Sequence, residues 1–289
     1  MTRLVEDDVR ALTAHLDEVE RRLVALTGCD FVALAARACG ASGGVARDAL
    51  AHAAVAVVPI TSGEGVIPGF VECVAAICAR LGCRARVTQA TDVSGFGEAL
   101  TAGDDLVFAA DDRTFLAFEL TRRVVADDDS CTAHAYVAAL DAAAGPGGLA
   151  GRSVLLIGLG PVGRAAAARL VALDADVLVC ERDEARLAAV VRELPRVTPV
   201  TLADGLARSR LVLDATPTPD LIDAGWVGAD GIVSCPGLPP GVTAAAARAL
   251  GERLVHEPLA LGVAAMAVEA LTRCRPPLRP PGATPFAGW

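Results

Sequence analysis

A glycine-rich turn between two short apolar runs constrains the fold of this chain more than any other feature. Residues 154–157 have the length and composition of a buried parallel strand, and Gly158, Gly160 and Gly163 follow them directly. An alanine-rich helix comes next, and then a second apolar run over residues 177–179. A strand, a G-x-G-x-x-G turn and a helix in this order are typical of a dinucleotide-binding βαβ unit, so the sequence predicts a Rossmann domain here.

Each residue of the turn has a physical task in such a site. Gly158 permits the tight strand-to-helix turn, Gly160 lets the backbone approach a pyrophosphate, and Gly163 lets the helix lie close to the strand. The pyrophosphate would bind at the N-terminus of this helix, which Pro161 and Val162 begin. A glycine turn that closes an ordinary βαβ unit remains the alternative.

The acidic residue Glu181 stands at the end of the second strand, eighteen positions after Gly163. A carboxylate at this place accepts hydrogen bonds from the hydroxyls of the adenosine ribose. It favours NAD over NADP because it repels a 2′-phosphate, although the neighbouring Arg182 could bind such a phosphate. The predicted cofactor is therefore NAD.

The composition limits both the partners and the chemistry. The chain has 289 residues, 53% of them hydrophobic, and a net charge of −9, which indicates a globular protein and disfavours nucleic acid or an anionic membrane as a partner. A charged N-terminus and the lack of a long uncharged apolar run predict a cytoplasmic protein with no signal peptide and no membrane span. All 26 basic residues are arginine, so mechanisms that need a Schiff-base or catalytic lysine are excluded.

The nine cysteines and four histidines lack the spacing of metal ligands. No C-x-x-C pair occurs, and the histidines are scattered. We therefore expect reduced, mostly buried thiols, and we predict no metal site.

The order of apolar runs predicts an α/β fold, in which a C-terminal Rossmann domain follows a smaller N-terminal α/β domain that is itself preceded by helices. Alternating strands and helices in the smaller domain predict a second, parallel sheet. The expected boundaries are residues 1–53 for the helices, 54–148 for the substrate-side domain with a linking helix, 149–274 for the Rossmann domain and 275–289 for a proline-rich tail.

One apolar stripe marks the first helix. Its members recur at spacings of three and four, as on one face of a helix: Val9, Leu12, Leu16, Val19, Leu23 and Leu26. Because the helix precedes the first strand, its stripe is expected to pack against another domain or a second subunit. A homodimer is therefore one expected assembly.

Two strand ends of the smaller domain carry polar residues, and ligands of parallel sheets bind at such ends. Thr61 and Ser62, in TSGEG, could contact a substrate or an anion, or could belong to a simple glycine-rich connection. Asp111 and Asp112, in ADDRTF, would attract a cationic substrate, or could pair with Arg113 and cap the next helix. All four are candidate site residues.

Further candidates follow strands of the Rossmann half. Ala215, Thr216 and Pro217 come after one strand and Pro236 after the next, where such domains contact the nicotinamide half of the cofactor. Glu257 follows the last strand and is expected to face the interdomain cleft, with a helix cap or a salt bridge as the alternative.

A run of three acids, Asp127-Asp128-Asp129, is interpreted as a solvated loop. It precedes a helix that we expect to be capped by Ser130 and to connect the two domains. No functional role is assigned to this run.

Seven segments in a fixed order carry a resemblance to one family: VVPITSGEGVI, ADDRTFLA, DSCTAHAY, GLGPVG, DATP, CPGLP and HEPLALGVAAM. Together they resemble the dehydrogenases of pyrrolysine biosynthesis, from near the N-terminus to about Met266. The resemblance implies that NAD oxidises the terminal amine of 3-methylornithyl-N6-lysine. The carbonyl formed would then condense with the other amine and lose water, giving pyrrolysine.

The resemblance also implies site residues. It places substrate contacts on Ser62, on one of Asp111 and Asp112, and on Glu257, and it suggests that the first helix folds over the substrate near Leu4. On this interpretation the acids hold the amines beside the nicotinamide, and no side chain serves as a dedicated strong base.

Two other functions stay open at this point. One is another NAD-dependent amino-acid or hydroxyacid dehydrogenase, for which His256 would be the best-placed histidine. The other is a non-catalytic NAD-binding protein. Within the resembled family, a desmethyl analogue is an alternative substrate.

Overall fold

The computed structural model describes residues 6–63 and 67–273. Helices precede the first strand, as the sequence predicts. The first half of the chain comprises α1 (Glu6–Thr27), α2 (Phe31–Cys39), α3 (Gly43–His52), β1 (Ala54–Val58), α4 (Phe70–Arg80), β2 (Arg84–Val87), α5 (Asp92–Ala102), β3 (Leu106–Ala110), β4 (Phe115–Glu119), β5 (Val124–Asp127) and α6 (Asp128–Ala143).

The second half alternates strands and helices with few exceptions. Its elements are β6 (Ser153–Ile157), α7 (Pro161–Ala172), β7 (Asp176–Cys180), α8 (Glu184–Glu193), β8 (Thr198–Pro199), α9 (Leu202–Arg208), β9 (Leu211–Asp214), α10 (Ala224–Val227), β10 (Ile232–Ser234), α11 (Ala244–Leu250), β11 (Leu254–Val255) and α12 (Ala260–Thr272).

The first sheet has five strands in the order β2-β1-β3-β4-β5. Strands β1, β2 and β3 are parallel, whereas β4 is antiparallel to both of its neighbours. The prediction of a wholly parallel smaller sheet is therefore wrong in its second half. Strand β4 alternates buried and half-buried side chains, a period of two that its sequence FLAFE already carries. Because β5 runs parallel to β3, the two strands end at the same edge of the sheet.

The second sheet has six parallel strands in the order β11-β10-β9-β6-β7-β8. The strand order reverses between β6 and β9, as in a doubly wound Rossmann sheet, and the predicted Rossmann fold is confirmed. Ligands of such sheets bind outside the carboxyl ends of the strands at this reversal. Gly158 and the loop after β9 lie at this point.

Helix α1 buries its apolar stripe within the chain. Val9, Leu12, Leu16 and Leu23 are buried, and the helix packs against α4 and α6. The stripe is therefore no reason to expect a homodimer, because its partner is the same polypeptide.

Helices α6 and α12 hold the two sheets together. Helix α6 packs against α2 and α12, and also against α7 and β10 of the second half. Helix α12 follows the last strand of the second sheet, yet it packs against α2, α3 and α6, and its residues 260–268 are all buried. Of the helices described, none is long and apolar enough to cross a membrane.

Candidate active site

A cavity of about 400 Å³ lies where the carboxyl ends of the two sheets face each other. A volume of this size is within the range of small-molecule sites. The wall from the second sheet consists of Gly160, Pro161, Val162, Ala215, Thr216, Pro217, Pro236, Gly237, Leu238, Pro258 and Leu259. The opposite wall comes from the first sheet, the start of α4 with the segment before it, and the start of α6. It includes Val57, Val58, Ile60, Ile67, Phe70, Asp111, Asp112, Asp128, Asp129 and Thr132.

The glycine turn has the geometry that its sequence predicts. Gly158 has a φ of +85°, and a Cβ there would lie 2.5 Å from Thr216 Cγ2. A Cβ on Gly163 would lie 2.0 Å from the carbonyl oxygen of Gly158, so only glycine allows this approach of α7 to the turn. Gly160 faces open space and begins α7 without a side-chain cap. The helix N-terminus is thus open to a pyrophosphate, while Gly158 and Gly163 lie behind the cavity wall.

Glu181 lies against the glycine turn at the end of β7. Its carboxylate accepts hydrogen bonds from Leu159 N at 2.7 Å and from Asp183 N at 3.0 Å. Burial opposes ionisation, but these bonds and the Arg186 guanidinium outweigh it and lower the pKa of Glu181. A charged carboxylate therefore stands beside the turn, where a ribose is expected.

A buried carboxylate fixes the loop after β9. Asp214 is fully buried and accepts hydrogen bonds from Thr216 N at 3.1 Å, from Thr216 Oγ1 at 2.8 Å and from Gly241 N at 3.0 Å. Burial raises the pKa of Asp214 despite these bonds. A Cβ on Gly237 would lie 1.9 Å from Thr216 O, so the loops after β9 and β10 are in direct backbone contact. These contacts hold Ala215, Thr216 and Pro236 in the wall.

Asp111 and Asp112 occupy the turn between β3 and β4. Asp111 Oδ1 accepts hydrogen bonds from Arg113 N and Thr114 N, both at 2.8 Å, and these bonds lower the pKa of Asp111. No helix follows the turn, so the alternative of an Asp–Arg helix cap is wrong. Both acids line the cavity.

The sequence interpretation missed two further acids. Asp127 caps α6 by accepting a hydrogen bond from Ser130 N at 2.9 Å, so Asp128 and Asp129 form the first turn of the helix rather than a solvated loop. Both line the cavity. The signal that could have found them is the period of two in residues 115–127, because a hairpin there returns the chain to the edge where β3 ends.

The surroundings of Asp128 favour the protonated form of its carboxyl group. Its Oδ1 accepts a hydrogen bond from Thr132 Oγ1 at 2.9 Å. Burial raises the pKa of Asp128 to about 6, and the nearby Asp129 and Asp127 add to this effect, whereas the bond from Thr132 opposes it. Burial also raises the pKa of Asp129.

The described lining of the cavity is strongly asymmetric in charge. It contains four aspartates and neither arginine nor histidine, and most of the remaining side chains are apolar. Anions without a compensating cation in an apolar wall attract a cationic ligand. This asymmetry is the main electrostatic property of the site.

The TSGEG residues are placed differently from the prediction. Thr61 donates from N at 2.8 Å and from Oγ1 at 2.5 Å to the carboxylate of Asp92, and it is not in the cavity wall. Ser62 is exposed and also outside the wall, although Ile60 and Ile67 on either side line it. Leu4, for which a substrate contact is implied, lies outside the described residues.

Glu257 is buried behind the cavity, not exposed on its wall. Its side chain is 2% exposed, Oε1 accepts a hydrogen bond from Leu259 N at 2.7 Å, and Oε2 accepts one from Leu261 N at 2.8 Å. The prediction that Glu257 faces the cleft is wrong, because its carboxylate caps the start of α12 instead. Burial raises its pKa, although the backbone N–H groups oppose the shift.

Two further expectations from the sequence concern His256 as a possible catalytic residue and the binding of a metal ion. His256 Nδ1 lies 2.8 Å from the carbonyl oxygen of Cys235, and the ring is not part of the cavity wall. Within residues 6–63 and 67–273, no three or more histidine, cysteine or acidic side chains are grouped so that they could hold a metal ion.

Two solved structures with a similar fold are dehydrogenases. Quinate dehydrogenase from Corynebacterium glutamicum in complex with NAD is 16% identical, with a TM-score of 0.50 over 76% of this chain and 94% of that one. Shikimate dehydrogenase from Aquifex aeolicus is 12% identical, with a TM-score of 0.51 over 78% of this chain and 95% of that one. At these identities the likeness concerns the fold alone.

Sequence comparisons identify the family of the chain. Residues 8–126 match the family model described as pyrrolysine biosynthesis protein PylD, N-terminal domain, and residues 114–224 match D-isomer specific 2-hydroxyacid dehydrogenase, NAD binding domain. Pyrrolysine synthase from Methanosarcina acetivorans is 30% identical over 270 residues, which are 92% of this chain and 98% of that protein. Pyrrolysine synthase from Methanosarcina barkeri is 29% identical over 271 residues. The chain therefore belongs to the pyrrolysine synthase family and is a dehydrogenase-type enzyme of pyrrolysine biosynthesis with an NAD(P)-binding Rossmann domain.

Proposed function

We propose that this enzyme oxidises the terminal amine of 3-methylornithyl-N6-lysine with NAD⁺, giving an aldehyde that cyclises with loss of water to pyrrolysine. The observation that carries the proposal is the charge of the cavity, which has four aspartates and no basic side chain among its described lining residues. At neutral pH the substrate has three ammonium groups and one carboxylate, so its net charge is complementary to the cavity.

The same charge argues against the two alternative functions. A 2-hydroxyacid is an anion, and enzymes bind its carboxylate through arginine or another cation. The described wall offers no such group, and its aspartates would repel the substrate. A protein that only senses NAD has no need for four acids opposite the glycine turn.

Asp111 is the acid that its own turn holds in place. Asp111 accepts several bonds from its own turn, which sets the position of the β3–β4 connection. We assign ammonium binding to Asp112 and Asp129, which line the cavity from the β3–β4 turn and from the first turn of α6. The apolar side chains of Val57, Val58 and Phe70 would contact the alkyl chain.

Glu181 favours NAD⁺ over NADP⁺ as the cofactor. Its pKa is lowered, so the carboxylate is charged, and it would accept hydrogen bonds from ribose hydroxyls and repel a 2′-phosphate. Gly160, Pro161 and Val162 fit the pyrophosphate, and Ala215 and Thr216 fit the nicotinamide half. When bound, the nicotinamide supplies hydride acceptance, and the protein supplies orientation and charge.

The experiment combines the purified enzyme with NAD⁺ and 3-methylornithyl-N6-lysine. We expect NADH to appear by absorbance and pyrrolysine by mass spectrometry, in equal amounts. The desmethyl substrate, NADP⁺ and simple 2-hydroxyacids serve as comparisons. NADH formed with a hydroxyacid but not with the diamine, or NAD⁺ binding without any oxidation, would contradict the proposal.

A further inference from the structure

We propose that Asp128 is the base that takes the proton from the reacting ammonium group of the substrate before the amine is oxidised. The inference rests on the proposed function, because it concerns the same cavity and the same substrate. It replaces the expectation from sequence that no side chain serves as a dedicated base.

The position of Asp128 is built into the packing of two helices. Asp128 and Thr132 lie one turn apart on α6, and both line the cavity. Gly262, on the buried helix α12, lies directly against them. A Cβ on Gly262 would stand 2.4 Å from Thr132 Oγ1 and 2.9 Å from Asp128 Oδ1. The glycine therefore leaves the space that this hydrogen-bonded pair occupies.

Two other acids near the cavity, Asp111 and Glu257, are unsuited to accept a proton. The bonds that Asp111 accepts from its turn lower its pKa, so it stays charged and is a weak base. Glu257 is fully engaged by the backbone of α12 and is not in the wall. Asp128 accepts one hydrogen bond from Thr132 and has a pKa of about 6, close to the range in which a general base is most effective.

The acidic side chains that face Asp128 favour its protonated form, and the positive charge of the chain's amino terminus opposes them. Asp127 and Asp129 are on its own helix, and Asp111 and Asp112 share the cavity from the β3–β4 turn. Helix α12 presents Gly262 and carries no charge at this contact. On the buried side of α6, Cys131 and Tyr136 have raised pKa values and are neutral.

The proton transfer precedes a two-electron oxidation. The carboxylate of Asp128 takes one proton from –CH₂–NH₃⁺, which leaves a neutral amine. The adjacent C–H bond then breaks, its electron pair leaves as hydride for the oxidised nicotinamide, and a C=N bond forms. Water adds to the iminium ion and ammonium departs, so an aldehyde remains, and the proton on Asp128 passes to solvent.

The test compares Asp128→Asn with Asp129→Asn, which removes one negative charge from the neighbouring cavity position. We expect kcat of Asp128→Asn to fall by about 10²–10⁴-fold at neutral pH, whereas Asp129→Asn mainly raises KM. Because the variant needs a substrate that is already neutral, its kcat/KM should rise about tenfold per pH unit towards the amine pKa of roughly 10.4, while wild type levels off above about pH 6. NAD⁺ affinity, measured by fluorescence, should be unchanged in both variants.

A second variant keeps the proposal testable even if Asp128→Asn does not fold. Thr132→Val removes the bond that favours the ionised carboxyl, so the acid limb of the wild-type pH profile should move to higher pH. Infrared difference spectra should show the same upward shift for one carboxyl group, without substrate or cofactor. An unshifted pH profile for Thr132→Val would refute the role of Asp128 and leave the proposed function intact. Parallel pH profiles for wild type, Asp128→Asn and Asp129→Asn would do the same. An inactive wild type would overturn the proposed function, and this inference with it.

Discussion

The two walls of the cavity are assembled in different ways. The nucleotide wall comes from the glycine turn and the loops after β9 and β10, whose residues follow strands of one regular parallel sheet. The acidic wall joins the β3–β4 turn to the first turn of α6, beyond an antiparallel hairpin. A site formed at the strand ends of one regular parallel sheet can therefore be identified from local sequence patterns, whereas a site that joins segments beyond a hairpin cannot.

Within the acidic wall, the pKa values of Asp111 and Asp128 are shifted in opposite directions. Backbone N–H groups lower the pKa of Asp111, whereas burial raises that of Asp128 to about 6. Two identical side chains in one cavity therefore suit different tasks, a fixed charge and a proton acceptor.

For cofactor binding, the largest effect is expected at the nucleotide wall, for Gly163→Ala. The new Cβ would meet the carbonyl oxygen of Gly158 at 2.0 Å, so the backbone must shift. We expect a loss of about 1–3 kcal/mol of stability and NAD⁺ binding weakened by about 100-fold. Calorimetry measures both quantities.

Gly160→Ala is the matched control for this change. Its Cβ meets nothing within 4 Å, so the melting temperature should stay the same and only NAD⁺ affinity should fall. Equal melting temperatures for both variants would show that the close approach of α7 to the turn is not needed for folding.

The next effect is a dependence of folding stability on pH, which Asp128 in the acidic wall causes. Because the pKa of Asp128 is raised from 3.8 to about 6 in the folded state, its contribution to stability is present at low pH and is lost as pH rises through this window. The stability of wild type relative to Asp128→Asn should fall by up to about 3 kcal/mol between pH 4 and pH 7. Urea unfolding at both pH values measures the difference, and a constant difference would refute the raised pKa.

Asp112→Asn tests the assigned ammonium contact. We expect KM for the diamine to rise about 10–100-fold through loss of a charged hydrogen bond, with NAD⁺ affinity unchanged. Asp111→Asn should instead disturb the turn and lower thermal stability as well. Equal weakening of NAD⁺ and substrate binding by Asp112→Asn would remove that residue from the substrate site.

A smaller effect is expected for Glu181→Gln. Loss of the charge should weaken NAD⁺ binding about tenfold and reduce the preference over NADP⁺. Arg182→Ala is the control, because an arginine that binds a 2′-phosphate would lower only NADP⁺ affinity when removed. Titration with both cofactors distinguishes the two residues.

The smallest effect is expected for Thr61→Val. Both polar groups of Thr61 contact Asp92 rather than the cavity, so KM should change less than about threefold. Ser62→Ala provides the comparison, because the family resemblance implies a substrate contact there. A large rise in KM for Thr61→Val would mean that this loop turns its threonine towards the substrate.

The sequence alone determined the nucleotide wall and the Rossmann sheet. Gly158, Gly160, Gly163 and Glu181 fall within one βαβ unit, where local geometry leaves few alternatives to their spacing. The sequence also indicated Asp111 and Asp112, because they directly follow a strand that is easily identified.

Only the tertiary structure decided what lies opposite the nucleotide wall. Asp128 and Asp129 reach the cavity because the β4–β5 hairpin returns the chain to one sheet edge, and Gly262 leaves room for them on α12. Glu257 follows a strand end just as Asp111 does, but the backbone N–H groups of α12 hold its carboxylate inside the protein. The physical reason is that the packing of distant segments sets the direction and burial of a side chain, which sequence spacing does not encode.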